Sequence, residues 1–173
     1  MIIIQLSDTH IPGWGKNTCE VAPMAENLRR CVEHINQLVP RPDLILVSGD
    51  ITHSGLAEEF DQAASILSRL IAPCFVIPGN HDNRENFVSE FSGTSALPDK
   101  PWFTSEQPFI NYVIDGFDLR LIALDSTSDG KPGGEICETR AAWLNDRLAE
   151  APSKPTIILK PKCKSGYLAN NFL

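Results

Sequence analysis

One pattern constrains the fold of this chain more than any other. Three short apolar runs each stop abruptly at a cluster of polar residues. Residues 1–6 stop at Ser7-Asp8-Thr9-His10, residues 44–47 at Ser48-Gly49-Asp50, and residues 74–77 at Pro78-Gly79-Asn80-His81-Asp82. Runs of this length, rich in Ile, Leu and Val, read as buried strands. Between them lie two stretches with apolar residues at helical spacing. The first, 24–39, carries Met24, Leu28, Cys31, Val32, Ile35, Leu38 and Val39, and Pro40 and Pro42 stop it. The second, 56–71, carries Leu56, Phe60, Ala63, Ala64, Leu67, Leu70 and Ile71, and Pro73 closes it. Strand and helix in alternation imply right-handed crossovers and a largely parallel sheet. Parallel strands end on one edge of their sheet, so the three polar clusters are predicted to meet at a single crevice.

The second half is less regular. Residues 83–91 suggest a short helix and 92–108 a loop rich in Gly, Pro and Ser. Residues 109–114 and 119–124 read as strands joined at Asp115-Gly116. Residues 125–134 read as a loop, 138–150 as a helix with Trp143, Leu144 and Leu148 inward, and 156–159 as a last strand. No repeat and no long linker interrupts the chain, so the expectation is one α/β domain.

Composition narrows the function. At 173 residues and 42% hydrophobic, the chain can bury a core without disulfides and is too apolar to be disordered. The five cysteines are odd in number and far apart, which fits reduced thiols in a cytoplasmic protein. No apolar run is long enough for a membrane helix, and no signal-peptide pattern follows Met1. A net charge of −7 argues against broad nucleic-acid binding but not against a small phosphorylated ligand, since a bound metal reverses the local field. The charge is uneven: residues 151–173 hold Lys154, Lys160, Lys162 and Lys164 and no acid.

The strand-end residues Asp8, His10, Asp50, Asn80, His81 and Asp82 supply carboxylate, imidazole and amide donors. Such a set suits Mn, Fe, Zn or Co better than a thiolate-rich structural zinc site. In an extended segment Asp8 and His10, two apart, point the same way and can reach one ion. Asp50 stands where a carboxylate can bridge two ions. Gly49 and Gly79 let the backbone turn directly before the donors. A single Asp or Asn after a strand is most often a turn residue or a cap; three separate strand ends carrying such donors point to a metal or phosphate site.

Asp8-Thr9-His10, Gly49-Asp50 and Gly79-Asn80-His81-Asp82 resemble, in order and placement, the D-x-H, G-D and G-N-H-[DE] signature of the calcineurin-like metallophosphoesterases. The segments 5–10 and 49–52, with Gly134 ahead of Trp143-Leu144, are most similar to the branch holding bacterial class III cyclic-nucleotide and glycerophosphodiester phosphodiesterases. The resemblance implies a β-sandwich flanked by helices. It also implies hydrolysis of the phosphodiester bonds of cyclic nucleotides or small phosphodiesters through a metal-activated hydroxide. By resemblance, Asp8 and His10 hold the first divalent ion, Asp50 bridges and Asn80 holds the second. His81, with Asn80, contacts the phosphate or protonates the leaving oxygen, and Asp82 orients the His81 ring. His53 is read as a mouth residue near substrate, and His34 as structural.

The sequence also departs from the family pattern. Family members carry further histidines downstream, in H-H-P-P-like and G-H-x-H stretches. This sequence has no histidine after His81, and Lys160-Pro161-Lys162-Cys163 stands at the first of these places. The expectation is therefore a family domain over 1–159 that lacks its C-terminal part, followed by a divergent basic tail over 160–173. The first ion keeps Asp8, His10 and Asp50, and the second keeps only Asp50 and Asn80. One ion at most is held well, and bimetallic hydrolysis is impaired. The alternative reading is a truncated, weak or inactive relative that binds at most one metal or a phosphorylated ligand. An uncovered strand edge near Thr156 predicts a homo-oligomer or a poorly soluble monomer.

Overall fold

The computed structural model describes residues 1–98, 101, 103, 104, 106, 108–128 and 131–161. The alternation read from the first half is present. β1 (Ile3–Leu6), β2 (Leu44–Ser48) and β3 (Cys74–Ile77) form a parallel sheet in that order, with Ile3 opposite Leu44 and Ile45 opposite Cys74. α1 (Met24–Asn36) and α2 (Ala57–Leu67) make the crossovers, and α3 (Arg84–Phe91) follows β3. β2 is buried along its whole length because it is the central strand. β1 lies on the edge and is only partly covered, with Met1 and Ile2 outside it and exposed, so the expectation of a buried strand over 1–6 is corrected.

The helices end earlier than their apolar periodicity predicts. α1 stops at Asn36, and Val39 is 94% exposed. α2 stops at Leu67; Leu56 becomes its cap, and Ile71 is exposed beyond it. Apolar residues at the right spacing do not extend a helix past the core that would cover them.

The second sheet contains β4 (Tyr112–Ile114), β5 (Arg120–Ala123) and β8 (Thr156–Leu159), with β5 antiparallel to β4 and parallel to β8. α4 (Glu138–Ala149) leads into β8. β5 faces two ways, as strand periodicity requires. Leu121 and Ala123 enter the main core with β2, β3 and α1–α3, while Ile122 joins Leu124 and Leu144 in a second cluster under α4. The Tyr112 hydroxyl donates to the Val76 carbonyl and ties the two sheets together. The result is the expected sandwich of two sheets flanked by helices.

Residues 125–134, expected to be a loop, contain a small antiparallel pair, β6 (Thr127–Ser128) and β7 (Lys131–Gly134). The sequence Lys-Pro-Gly-Gly has no apolar alternation to announce a strand. Instead, a buried ion pair and the hydrogen bonds of two arginines hold the hairpin. Asp125 is fully buried and accepts from the Arg84 Nε at 2.7 Å and from the Thr127 N–H at 2.9 Å. Arg84 also donates to the Thr127 carbonyl at 3.0 Å, and Arg140 donates to the same carbonyl at 2.9 Å.

Candidate metal centre

The ends of β1, β2 and β3 converge at one edge of the first sheet. The chain beyond β1 runs beside the chain beyond β2: Asp8 N–H donates to Gly49 O at 3.1 Å, His10 N–H to Asp50 O at 2.9 Å, and Ile11 N–H to Ile51 O at 2.8 Å. Asp8, His10 and Asp50 all have positive φ, at 56°, 40° and 50°. For residues with a Cβ this is a strained conformation, and it persists only where the surroundings enforce it. The expected juxtaposition of Asp8 and His10 is found, but not by strand alternation. Each residue sits in a left-handed turn, and Thr9 between them turns inward and donates to Ile51 O at 2.9 Å.

The close approach of two glycines explains how Asp50 reaches the centre. A Cβ on Gly79 would lie 2.1 Å from the Asp50 nitrogen and 2.3 Å from its Oδ1. Only a bare backbone lets the β3 end pack against the carboxylate. Asp50 Oδ1 then accepts from His81 N–H at 3.0 Å, which places Asn80 and His81 around it.

The donor atoms fit a metal. One oxygen or nitrogen from each of Asp8, His10 and Asp50 lies within 4.8 Å of the others. His10 Nε2 is 4.0 Å from Asp50 Oδ2, while its Nδ1 is buried with no hydrogen-bond partner. Burial lowers the His10 pKa, with the Asp50 charge opposing and the His81 ring adding to it. A neutral imidazole is the form that ligates metals. Carboxylate oxygens plus imidazole match a hard or borderline divalent ion.

Other expected residues fall differently. Asn80 and His81 line a cavity of about 460 Å³ together with Arg84, Phe103, Thr127 and Ser128. His53 is close to His81, and its carbonyl meets His81 Nδ1 at 2.8 Å. That contact corrects the role given to Asp82, because the backbone of His53 orients the His81 ring. The Asp82 carboxylate is turned away. It accepts from the N–H groups of Ile51 at 3.0 Å, Thr52 at 2.9 Å and Gly79 at 2.8 Å, and from the Thr52 hydroxyl at 2.6 Å. Burial pushes its pKa up to about 6 against these hydrogen bonds. Asp82 therefore joins the β2 and β3 ends. Lys160 lines a separate cavity of about 540 Å³ with Asp8 and Ser48, and Lys162 lies outside the described residues. His34 is exposed on α1, away from the site.

Sequence reasoning missed Arg84, Thr127 and Ser128 as cavity residues. They come from α3 and from a hairpin more than 40 residues later, and no local pattern links them.

Oxygen and nitrogen donors gathered at the carboxyl edge of a parallel sheet, backed by a second sheet, define an α/β fold with a candidate metal site. The family model for calcineurin-like phosphoesterases matches residues 1–166, and the chain belongs to that family. It is 39% identical over 158 residues to the probable glycerophosphodiester phosphodiesterase GpdQ of Arcobacter nitrofigilis, covering 91% of this chain and 55% of that protein. It is 32% identical over 158 residues to the glycerophosphodiester phosphodiesterase GpdQ of Enterobacter lignolyticus, with the same coverage. The 3',5'-cyclic adenosine monophosphate phosphodiesterase CpdA of Escherichia coli K12 is 28% identical over 157 residues, covering 91% of this chain and 53% of that protein. The chain thus spans little more than half the length of these relatives.

Proposed function

We propose that this chain is a metal-dependent phosphoesterase domain acting on the phosphodiester bond of a cyclic nucleotide or another small phosphodiester. The observation that carries the reading is the enforced convergence of Asp8, His10 and Asp50, all at positive φ and with donor atoms within 4.8 Å, beside the cavity of Asn80 and His81. Asp8, His10 and Asp50 would hold a divalent ion, with Asn80 next to it. Such an ion supplies Lewis-acid polarisation of a phosphoryl oxygen. The chain's own groups do the rest. His81 Nδ1 donates to the His53 carbonyl, which leaves Nε2 as the nitrogen that would carry a proton to a phosphate oxygen or a leaving oxygen. Arg84 holds the Thr127 side of the cavity in place.

The test is hydrolysis of bis(p-nitrophenyl) phosphate and cyclic AMP by the purified chain with Mn²⁺, Co²⁺, Fe²⁺ or Zn²⁺. Asp50→Asn is expected to lower any such rate at least ~100-fold. No hydrolysis with any of the four ions, or an unchanged rate in the variant, overturns the reading.

A second reading rests on the donor count. Among the described residues the first ion has three protein ligands, while the proposed second has Asp50 and Asn80. On that reading the chain is a weak or inactive relative that holds at most one ion or a phosphorylated ligand. Metal analysis decides: two tightly held ions per chain exclude it, and one supports it.

A further inference from the structure

Three of the four histidines, His10, His53 and His81, come from three different strand ends and face one another. One ring nitrogen from each lies within 4.8 Å of the others. The ring centroids are 4.6, 6.1 and 6.2 Å apart. Three imidazoles on one tetrahedral ion, with metal–nitrogen bonds near 2.0 Å, place their centroids about 5 Å apart. The observed sides bracket that distance, and the near-parallel His53 and His81 rings, 20° apart, turn toward each other when both ligate one ion.

Several features show that this is a built arrangement. The His10 Nδ1 and the His53 Nδ1 are both buried without a hydrogen-bond partner. Two buried ring nitrogens without a partner in one cluster are costly unless a ligand satisfies them. The third ring is oriented: Nδ1–H of His81 donates to the His53 carbonyl at 2.8 Å, which leaves Nε2 as the nitrogen for an ion. Each backbone is anchored. Thr18 Oγ1 donates to His10 O at 2.7 Å, and His53 N–H donates to Ile11 O at 3.0 Å. The turn after His53 is held by the buried Glu59, which accepts from Ser54 N–H at 2.8 Å and Leu56 N–H at 3.2 Å. Gly55 packs against the 81–83 segment so tightly that a Cβ would lie 2.8 Å from the Asn83 nitrogen. Asn86 Nδ2 clasps the Gly55 carbonyl at 2.8 Å.

We propose that His10, His53 and His81 form a nitrogen-only site for a borderline divalent transition-metal ion of the zinc type. It is separate from the carboxylate-rich group of Asp8, His10 and Asp50 and shares His10 with it. An all-imidazole set favours Zn²⁺, Ni²⁺ or Cu²⁺, whereas the carboxylate set favours Mn²⁺. Because one ring serves both groups, the identity of the available ion decides which set is filled.

The test uses the full metal-free chain, with Zn²⁺ affinity measured by calorimetry and the Zn²⁺ shell read by X-ray absorption. The wild type is expected to show three imidazoles. Asp8→Asn is expected to keep that shell. His53→Ala is expected to weaken Zn²⁺ binding by at least the 10–100-fold that loss of even an outer partner costs, and to remove one imidazole from the shell. His81→Ala is a second variant with the same expected result, and circular dichroism without metal confirms that each variant is folded. A wild-type shell containing carboxylate oxygens, or Zn²⁺ affinity unchanged in both His53→Ala and His81→Ala, overturns the proposal. Neither readout involves hydrolysis, so failure of the phosphoesterase reading leaves this result separately interpretable.

Discussion

Two residues beside the donors carry the geometry without being donors themselves. Asp82 is the acceptor for three backbone N–H groups and one hydroxyl from the β2 and β3 ends. Asp82→Ala leaves those buried donors unpaired, at about 1–3 kcal/mol each, and is expected to cost at least 3 kcal/mol in urea unfolding. Asp82→Asn keeps one acceptor oxygen and falls between. Gly79 has the opposite character, since its value lies in what is missing. Gly79→Ala drives a methyl group into the Asp50 backbone and carboxylate. The expected result is a loss of about 1–3 kcal/mol from overpacking, with a parallel loss of Mn²⁺ binding by calorimetry. The donors Asp8, His10 and Asp50 were legible in the sequence because each follows an apolar run directly. The role of Asp82 was not, because three of its four donor groups belong to Ile51 and Thr52, about thirty residues away, and only the folded chain brings them to it.

At the scale of elements, the strands and helices of the first half follow from their periodicity and proline stops. The β6–β7 hairpin does not, and its stability rests on buried charge. Asp125 is fully buried against Arg84, with Arg140 donating to its carbonyl at 3.1 Å and stacked 4.1 Å from the centre of the Phe109 ring. Removing one partner of a buried pair strands the other charge, at about 3–5 kcal/mol. Asp125→Ala is expected to lose that much stability. Amide hydrogen exchange at Lys131, Gly133 and Gly134 is expected to accelerate more than exchange in β2. Equal acceleration in both places would mean that the hairpin does not open as a unit.

At the scale of the whole molecule, β8 is on the edge of its sheet among the described residues, with Ile157 and Ile158 each 43% exposed. Neighbouring residues of a strand point to opposite faces, so both faces of β8 are partly open. An open apolar edge invites pairing. Light scattering of the double variant Ile157→Lys, Ile158→Lys is expected to show less self-association than the wild type at high concentration; identical mass distributions count against this edge as the contact. The proposed metal binding would also act globally. An ion at 100 times its dissociation constant stabilises the folded state by about 2.7 kcal/mol, which raises the melting temperature by roughly 5–10 °C in a domain of this size. Adding Mn²⁺ to the metal-free chain, and removing it again with a chelator, checks this in a single thermal scan series.

The sequence by itself determined the order of strands and helices in the first half, the parallel first sheet and the strand-end residues that would meet. All of these follow from local periodicity and from the rule that parallel strands end on one edge. Only the tertiary structure decided what those residues do to one another. It put Asp8 and His10 side by side through left-handed turns, gave the His81 ring to the His53 carbonyl, turned Asp82 into a tie between loops and gathered three histidines into one cluster. Each of these depends on contacts between segments tens of residues apart, and the angle at which two such segments meet is set by the packed core between them, which no local stretch of sequence encodes.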